Sequence, residues 1–114
     1  MKKMAENRYP RSASLFKFCK DALNVRYDGN VKVIDQDVGA ILGYDPADCS
    51  HWKKGKKNIR NLSTLTTIAD YLNVDISLIY NILVGSISVD EALFEYQGYG
   101  SFSLQNEDLE NLRK

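Results

Sequence analysis

The sequence predicts an all-α fold, and three observations lead there. Apolar residues recur three and four positions apart along several stretches, the spacing that gathers them on one helix face. Helix-start residues open these stretches and glycines close them, as at Asp45-Pro46 and Gly55, or Asp75 and Gly85. Gly43-Tyr44-Asp45 is all that separates two of them, so two short helices there must cross steeply through a glycine turn.

Residues 1–11 are polar and end near Pro10, which marks them as a flexible N-terminal arm. Residues 12–25 form the first helix: Leu15, Cys19, Ala22 and Leu23 share a face, with Lys17, Lys20 and Asp21 turned away. Tyr27-Asp28-Gly29-Asn30 reverses the chain, because Asp-Gly and Gly-Asn favour turns, and residues 31–33 are extended or irregular. The second helix spans 35–42, with Val38 and Leu42 on one side. Gly39 inside it costs about 1 kcal/mol against alanine, which points to another helix passing close by. After the third helix, residues 63–72 make a fourth with the stripe Leu65, Ile68, Ala69 and Leu72. Asp75 caps a fifth, which runs to about Val84 with Leu78, Ile79 and Ile82 inward. Ser88-Val89-Asp90-Glu91 is a capping-box pattern that opens a sixth, ending near Tyr96. A turn over 97–101 and a polar, acidic helix over 103–114 complete the chain. Phe94, Tyr96, Tyr99 and Phe102 either close the core or form an interaction surface.

The third helix, within residues 45–57, is the stretch with chemistry in it. Asp45 can cap the free N–H groups, and Pro46 suits the first helical position because its missing donor would be unpaired there. At about 100° per residue, Cys49 and Trp52 point one way. Ala47, Ser50, His51 and Lys54 fill the opposite arc. One edge is apolar and buried; the other is small, polar and basic, the shape of a helix that lies in a groove. The lysines from Lys53 to Lys57 could simply solvate a loop, but their place at the end of such a helix favours nucleic-acid contact.

Composition narrows the function classes. The chain has 114 residues, enough for one domain with a real core, and 44% hydrophobic with 26% charged residues is ordinary for a globular protein. No apolar run approaches the roughly 20 residues that span a membrane. Cys19 and Cys49 lack metal-site spacing and lie on apolar edges, so buried free thiols and a reducing cytoplasm are expected, with no metal and no cofactor. A P-loop, a G-x-S-x-G elbow and an H-E-x-x-H pair are all missing, and His51 is the lone histidine, so no catalytic residues are expected and the chain is not read as an enzyme. Net charge is zero but segregated. Residues 1–34 carry eight cations and three anions, residues 46–61 five and one, and residues 90–114 two and six. A basic front with an acidic tail fits one anionic partner.

Residues 34–57, I-D-Q-D-V-G-A-I-L-G-Y-D-P-A-D-C-S-H-W-K-K-G-K-K, resemble the DNA-binding region of the Cro and lambda repressor-like (XRE) family. That family's pattern is roughly T-Q-x-x-L-A-x-x-L-G-V-S-x-x-x-I-S-x-W-E-x-G-x-x, and it aligns without a gap. Val38, Gly39, Leu42, Gly43, Cys49, Ser50, Trp52 and Gly55 fall on its core and turn positions. L-T-T-I-A-D-Y-L-N-V at 65–74 is similar to the family's fourth helix, and I-S-L-I at 76–79 to its fifth. The resemblance implies a five-helix helix-turn-helix domain over 12–84; residues 85–114 lie outside it and are read as a short helical extension. The extension would serve dimerisation or lead to a further domain or protein, since no stop signal follows the last predicted helix.

The same resemblance implies a cytoplasmic transcription regulator that binds double-stranded DNA as a homodimer. Its recognition helix, about 46–54, would enter the major groove. Ala47, Ser50 and His51 would contact bases. Lys53, Lys54, Lys56, Lys57 and Arg60 would hold phosphates, with Gln36 standing in for the family's phosphate-binding glutamine, since Asp35 occupies that place. Asp35, Pro46 and Asp48 depart from the family pattern. They motivate the alternative expectation of a protein-interaction, regulatory or antitoxin module whose DNA binding is weak or absent.

Overall fold

The computed structural model describes residues 8–100, with side chains through Gln97. Among these residues it is all-helical. Six helices follow in order: α1 Pro10–Tyr27, α2 Asp35–Ile41, α3 Pro46–Lys53, α4 Leu62–Leu72, α5 Ile76–Val84 and α6 Val89–Gly100. No helix is long and apolar enough to cross a membrane among the described residues.

α1 is the axis, touching all five other helices. That explains why its burial exceeds the single predicted stripe. Leu15, Phe18, Cys19 and Ala22 are wholly enclosed, and Phe16, two positions from Phe18 and so on nearly the opposite side, is also buried. Phe16 meets Trp52 of α3 edge-on at 5.1 Å between ring centroids, while Phe18 meets Tyr96 of α6 edge-on at 6.1 Å. The helix is therefore sandwiched. Ala92 and Tyr96 of α6 belong to the same buried cluster as the α4 and α5 stripes. Of the aromatics left open by the sequence, Tyr96 is core and Phe94 is 77% exposed. The Tyr99 side chain and Phe102 lie outside the described residues, as do residues 1–7 and the predicted helix over 103–114.

Start and stop chemistry works largely as expected. Asp75 Oδ1 accepts the Ser77 N–H at 2.9 Å, and Gly85 ends α5 at φ +80°. Ser88 and Glu91 exchange both capping-box bonds at 3.0 Å. Asn61, which the spacing of apolar residues does not single out, starts α4 by accepting from Ser63 at 2.9 Å, so that helix begins at Leu62. α1 begins two residues before the expected start, with Pro10 in its first turn, and it ends at Asp28 in the left-handed region, which a short polar side chain tolerates. The turn expected over 97–101 is absent over its described part, because α6 continues to Gly100. A glycine costs a helix only about 1 kcal/mol, less than the buried packing of Ala92 and Tyr96 supplies to an already started helix.

Gly39 sits where close approach was expected. A Cβ built on it would lie 2.7 Å from Cys49 Cβ and 2.8 Å from Cys49 Sγ. The Cys49 thiol donates to the Asp35 carbonyl at 3.1 Å, so α2 and α3 touch through a glycine and a small sulfur side chain. Helix propensity favours Gly39→Ala by about 1 kcal/mol, whereas overpacking costs about 1–3 kcal/mol. Gly39→Ala should therefore lower the thermal midpoint; a midpoint at or above the parent's would contradict the seam.

Candidate nucleic-acid interface

The α2–α3 pair presents its second helix outward because that helix is held from behind. Asp45 Oδ1 accepts the Asp48 N–H at 2.8 Å and Pro46 follows in the first turn, which fixes where α3 starts. Cys49 and Trp52 are buried, at 1% and 0% exposure. The Trp52 indole N–H donates to the Ser12 carbonyl at 2.9 Å, and Tyr44 stands edge-on to its ring at 6.0 Å. With Cys49 and Trp52 inside, the opposite arc faces out. Ala47, His51 and Lys54 are exposed, while Ser50 is half-buried at the edge.

Beyond α3 the chain is anchored again. Gly55 turns at φ +77°, and its carbonyl accepts the Tyr9 N–H at 2.7 Å. Ile59 enters the core, and its N–H donates to Ser12 Oγ at 2.9 Å. Ser12, itself buried, thus accepts from both Trp52 and Ile59. Lys56 and Arg60 stand exposed on either side of the Ile59 anchor.

The electrostatics sort the expected phosphate-contacting residues into two groups. Lys53 Nζ lies 2.7 Å from Asp35 Oδ2, and Lys20 Nζ lies 2.8 Å from Asp35 Oδ1. Two ammonium groups on one carboxylate hold Asp35 below the usual aspartate range, the Lys20 hydrogen bond most of all, and the Asp35 hydrogen bond raises Lys53. Lys57 lies 3.8 Å from Asp48 and 5.1 Å from the Tyr44 ring centroid, a cation–π arrangement. Burial, followed by the Asp48 charge, pushes the Tyr44 hydroxyl up. Lys54, Lys56 and Arg60 have no carboxylate partner among the described residues, and Gln36 is exposed at the start of α2.

Both anions that depart from the family pattern are therefore balanced within the fold. The largest contribution is not visible in the sequence: Lys20, expected to face solvent, reaches Asp35 from fifteen residues away. No periodicity could have revealed that pair. Comparison of the chain with protein-family models, curated proteins and solved structures finds no match.

Asp35 also yields a pH test. Its folded-state pKa lies below the ordinary 3.8, so its pairing stabilises the fold above that value and is lost as pH falls through the lowered pKa. At one third exposure the contribution is modest, about 1 kcal/mol or less after solvent screening. Asp35→Asn should be less stable than the parent near neutrality and equal to it in acid well below pH 3.8, measured by urea unfolding across pH. A difference that persists undiminished into acid would mean the two lysines do not stabilise through that carboxylate.

Proposed function

We propose that this chain is a lambda repressor-like, XRE-type helix-turn-helix domain that binds double-stranded DNA sequence-specifically as a cytoplasmic transcription regulator. The observation that carries the reading is α3 itself. Its apolar edge is fixed on Ser12 and Phe16 while Ala47, Ser50 and His51 form its outer edge, with Lys54 and Lys56, which have no carboxylate partner among the described residues, just beyond. In the major groove, His51 and Ser50 would bond base edges and Ala47 would meet a thymine methyl. Lys54, Lys56 and Arg60 would hold phosphates, with Gln36 at the start of α2. Lys53 and Lys57 would add charge while keeping Asp35 and Asp48 neutralised. Two copies related by a two-fold axis would place their recognition helices about 34 Å apart, one turn of DNA.

A second reading draws on Lys53 and Lys57, both of which are engaged within the fold. A protein-interaction, regulatory or antitoxin module on the same scaffold would keep those internal pairs and use the outer edge of α3 for a protein partner. Selection of duplexes from a random pool at two salt concentrations separates the readings. Enrichment of a two-fold site supports the regulator, and no retention at low salt supports the interaction module.

In the regulator, Lys54→Ala with Lys56→Ala should weaken every duplex alike. It should also flatten the slope of log affinity against log salt by roughly 0.9 for each phosphate no longer neutralised. An unchanged slope would mean that neither lysine holds a phosphate. Ser50→Ala or His51→Ala should instead change sequence preference, at a cost of about 1–3 kcal/mol on the matched site. Equal weakening on matched and mismatched duplexes would deny them a base-reading role.

A further inference from the structure

Among the described residues Arg26, near the end of α1, is the one charged side chain that is buried, at 8% exposure. Its Nη1 donates to the Tyr71 carbonyl in the last turn of α4, at the negative end of that helix. Its Nε is enclosed and has no hydrogen-bond partner. No carboxylate among the described residues pairs with it. A guanidinium taken out of water needs its hydrogen bonds made and its charge answered, and Nε is one of the donors with which arginine grips a carboxylate through two parallel bonds. One side of this cation is spent on α4, and another lacks its acceptor.

The course of α6 shows which chain passes that acceptor site. Asp90, near the start of α6, acts on Lys17 of α1, whereas Tyr96, further on, packs on Phe18. Burial pushes the Tyr96 and Tyr71 hydroxyls up, and the Arg26 charge acts on both in the opposite sense, so Arg26 lies near each. α6 therefore runs alongside α1 in the same direction. It ends at Gly100, four residues past Tyr96, about 6 Å further along the helix. Residues 101–114 follow directly and carry Glu107, Asp108 and Glu110. Glu107 comes seven residues after Gly100, a reach of up to roughly 23–25 Å.

We propose that a carboxylate of the 101–114 segment, one of Glu107, Asp108 and Glu110, closes on the Arg26 guanidinium and docks that segment beside the ends of α1 and α4. A free anion is the poorer occupant, because Arg26 is already enclosed and its acceptor must arrive with chain that covers it. The nearer carboxylates of α6 are turned elsewhere: Asp90, Glu91 and Glu95 line a depression with Asn81. Docked at Arg26, the acidic segment lies roughly 21 Å along α1 from Ser12, at the end of α1 opposite the one that fixes α3, and does not compete with a polyanion for the α3 lysines. Nothing in the pairing depends on DNA recognition.

Nitrogen-edited NMR of the full chain reads the Arg26 Nε–H directly. Its exchange with water should be slow, and it should quicken about tenfold or more when Glu107→Gln, Asp108→Asn and Glu110→Gln are combined, the effect of losing a charge-assisted hydrogen bond. In urea unfolding the same triple substitution should raise the unfolded-to-folded ratio about tenfold in the parent. It should leave that ratio unchanged in Arg26→Met, whose apolar side chain needs no counter-charge. An exchange rate that the triple substitution does not alter overturns the proposal, as does an equal loss of stability with and without Arg26. So does Nε–H protection that appears only with added inorganic phosphate, which would give the site to a free anion. Should Arg26→Met not fold, the exchange measurement decides alone. Duplex binding enters neither measurement, so failure of the DNA reading leaves this pairing untouched.

Discussion

The arrangement of α3 depends on one hydrogen bond, from the Trp52 indole to the Ser12 carbonyl, inside a cage of Phe16 and Tyr44. A tryptophan carries a large apolar surface and one donor, and burial without a partner for that donor would cost much of what the ring gains. The Ser12 carbonyl removes that cost and fixes the rotation of α3 about its own axis. Once Trp52 points at α1, helical geometry sends Ala47, His51 and Lys54 outward. Ser12 Oγ and Tyr9 N–H hold the outgoing chain at Ile59 and Gly55, so the same end of α1 sets both the helix and its exit.

Charge placement around that helix follows a compact logic. An exposed aspartate at the start of α2 would repel any polyanion that α3 approached. Lys20 from α1 and Lys53 from α3 converge on it within hydrogen-bond distance, and Lys57 lies beside Asp48. The pairs are at the surface and modest in energy. They neutralise Asp35 and Asp48, while Lys54, Lys56 and Arg60 stand exposed with no carboxylate partner among the described residues. The opposite end of α1 has its own buried cation, Arg26, which donates to the Tyr71 carbonyl and ties α1 to α4.

Local signals in the chain were legible wherever a short-range interaction decides the outcome. Asp45, Asp75 and the Ser88–Glu91 pair cap the helices they precede, because a cap is satisfied within three residues. Gly39 announced its close helix approach, and the buried edge of α3 followed from the spacing of Cys49 and Trp52. The glycines after Gln97 were misleading, since their turn preference is weaker than the packing that carries α6 on to Gly100.

By itself the sequence determined the all-helical class, most helix starts and stops, and which edge of α3 is apolar, because these depend on periodicity and nearest-neighbour hydrogen bonds. The tertiary structure alone decided that α1 is buried on several sides, that Tyr96 is core while Phe94 is exposed, and that Lys20 and Lys53 meet at Asp35. It alone gathered Arg8, Arg11 and Arg60 at one groove and Asp90, Glu91 and Glu95 at another. Those outcomes join residues far apart in the chain, and the free energy that selects them is packing and Coulomb attraction between helices, which no local pattern encodes.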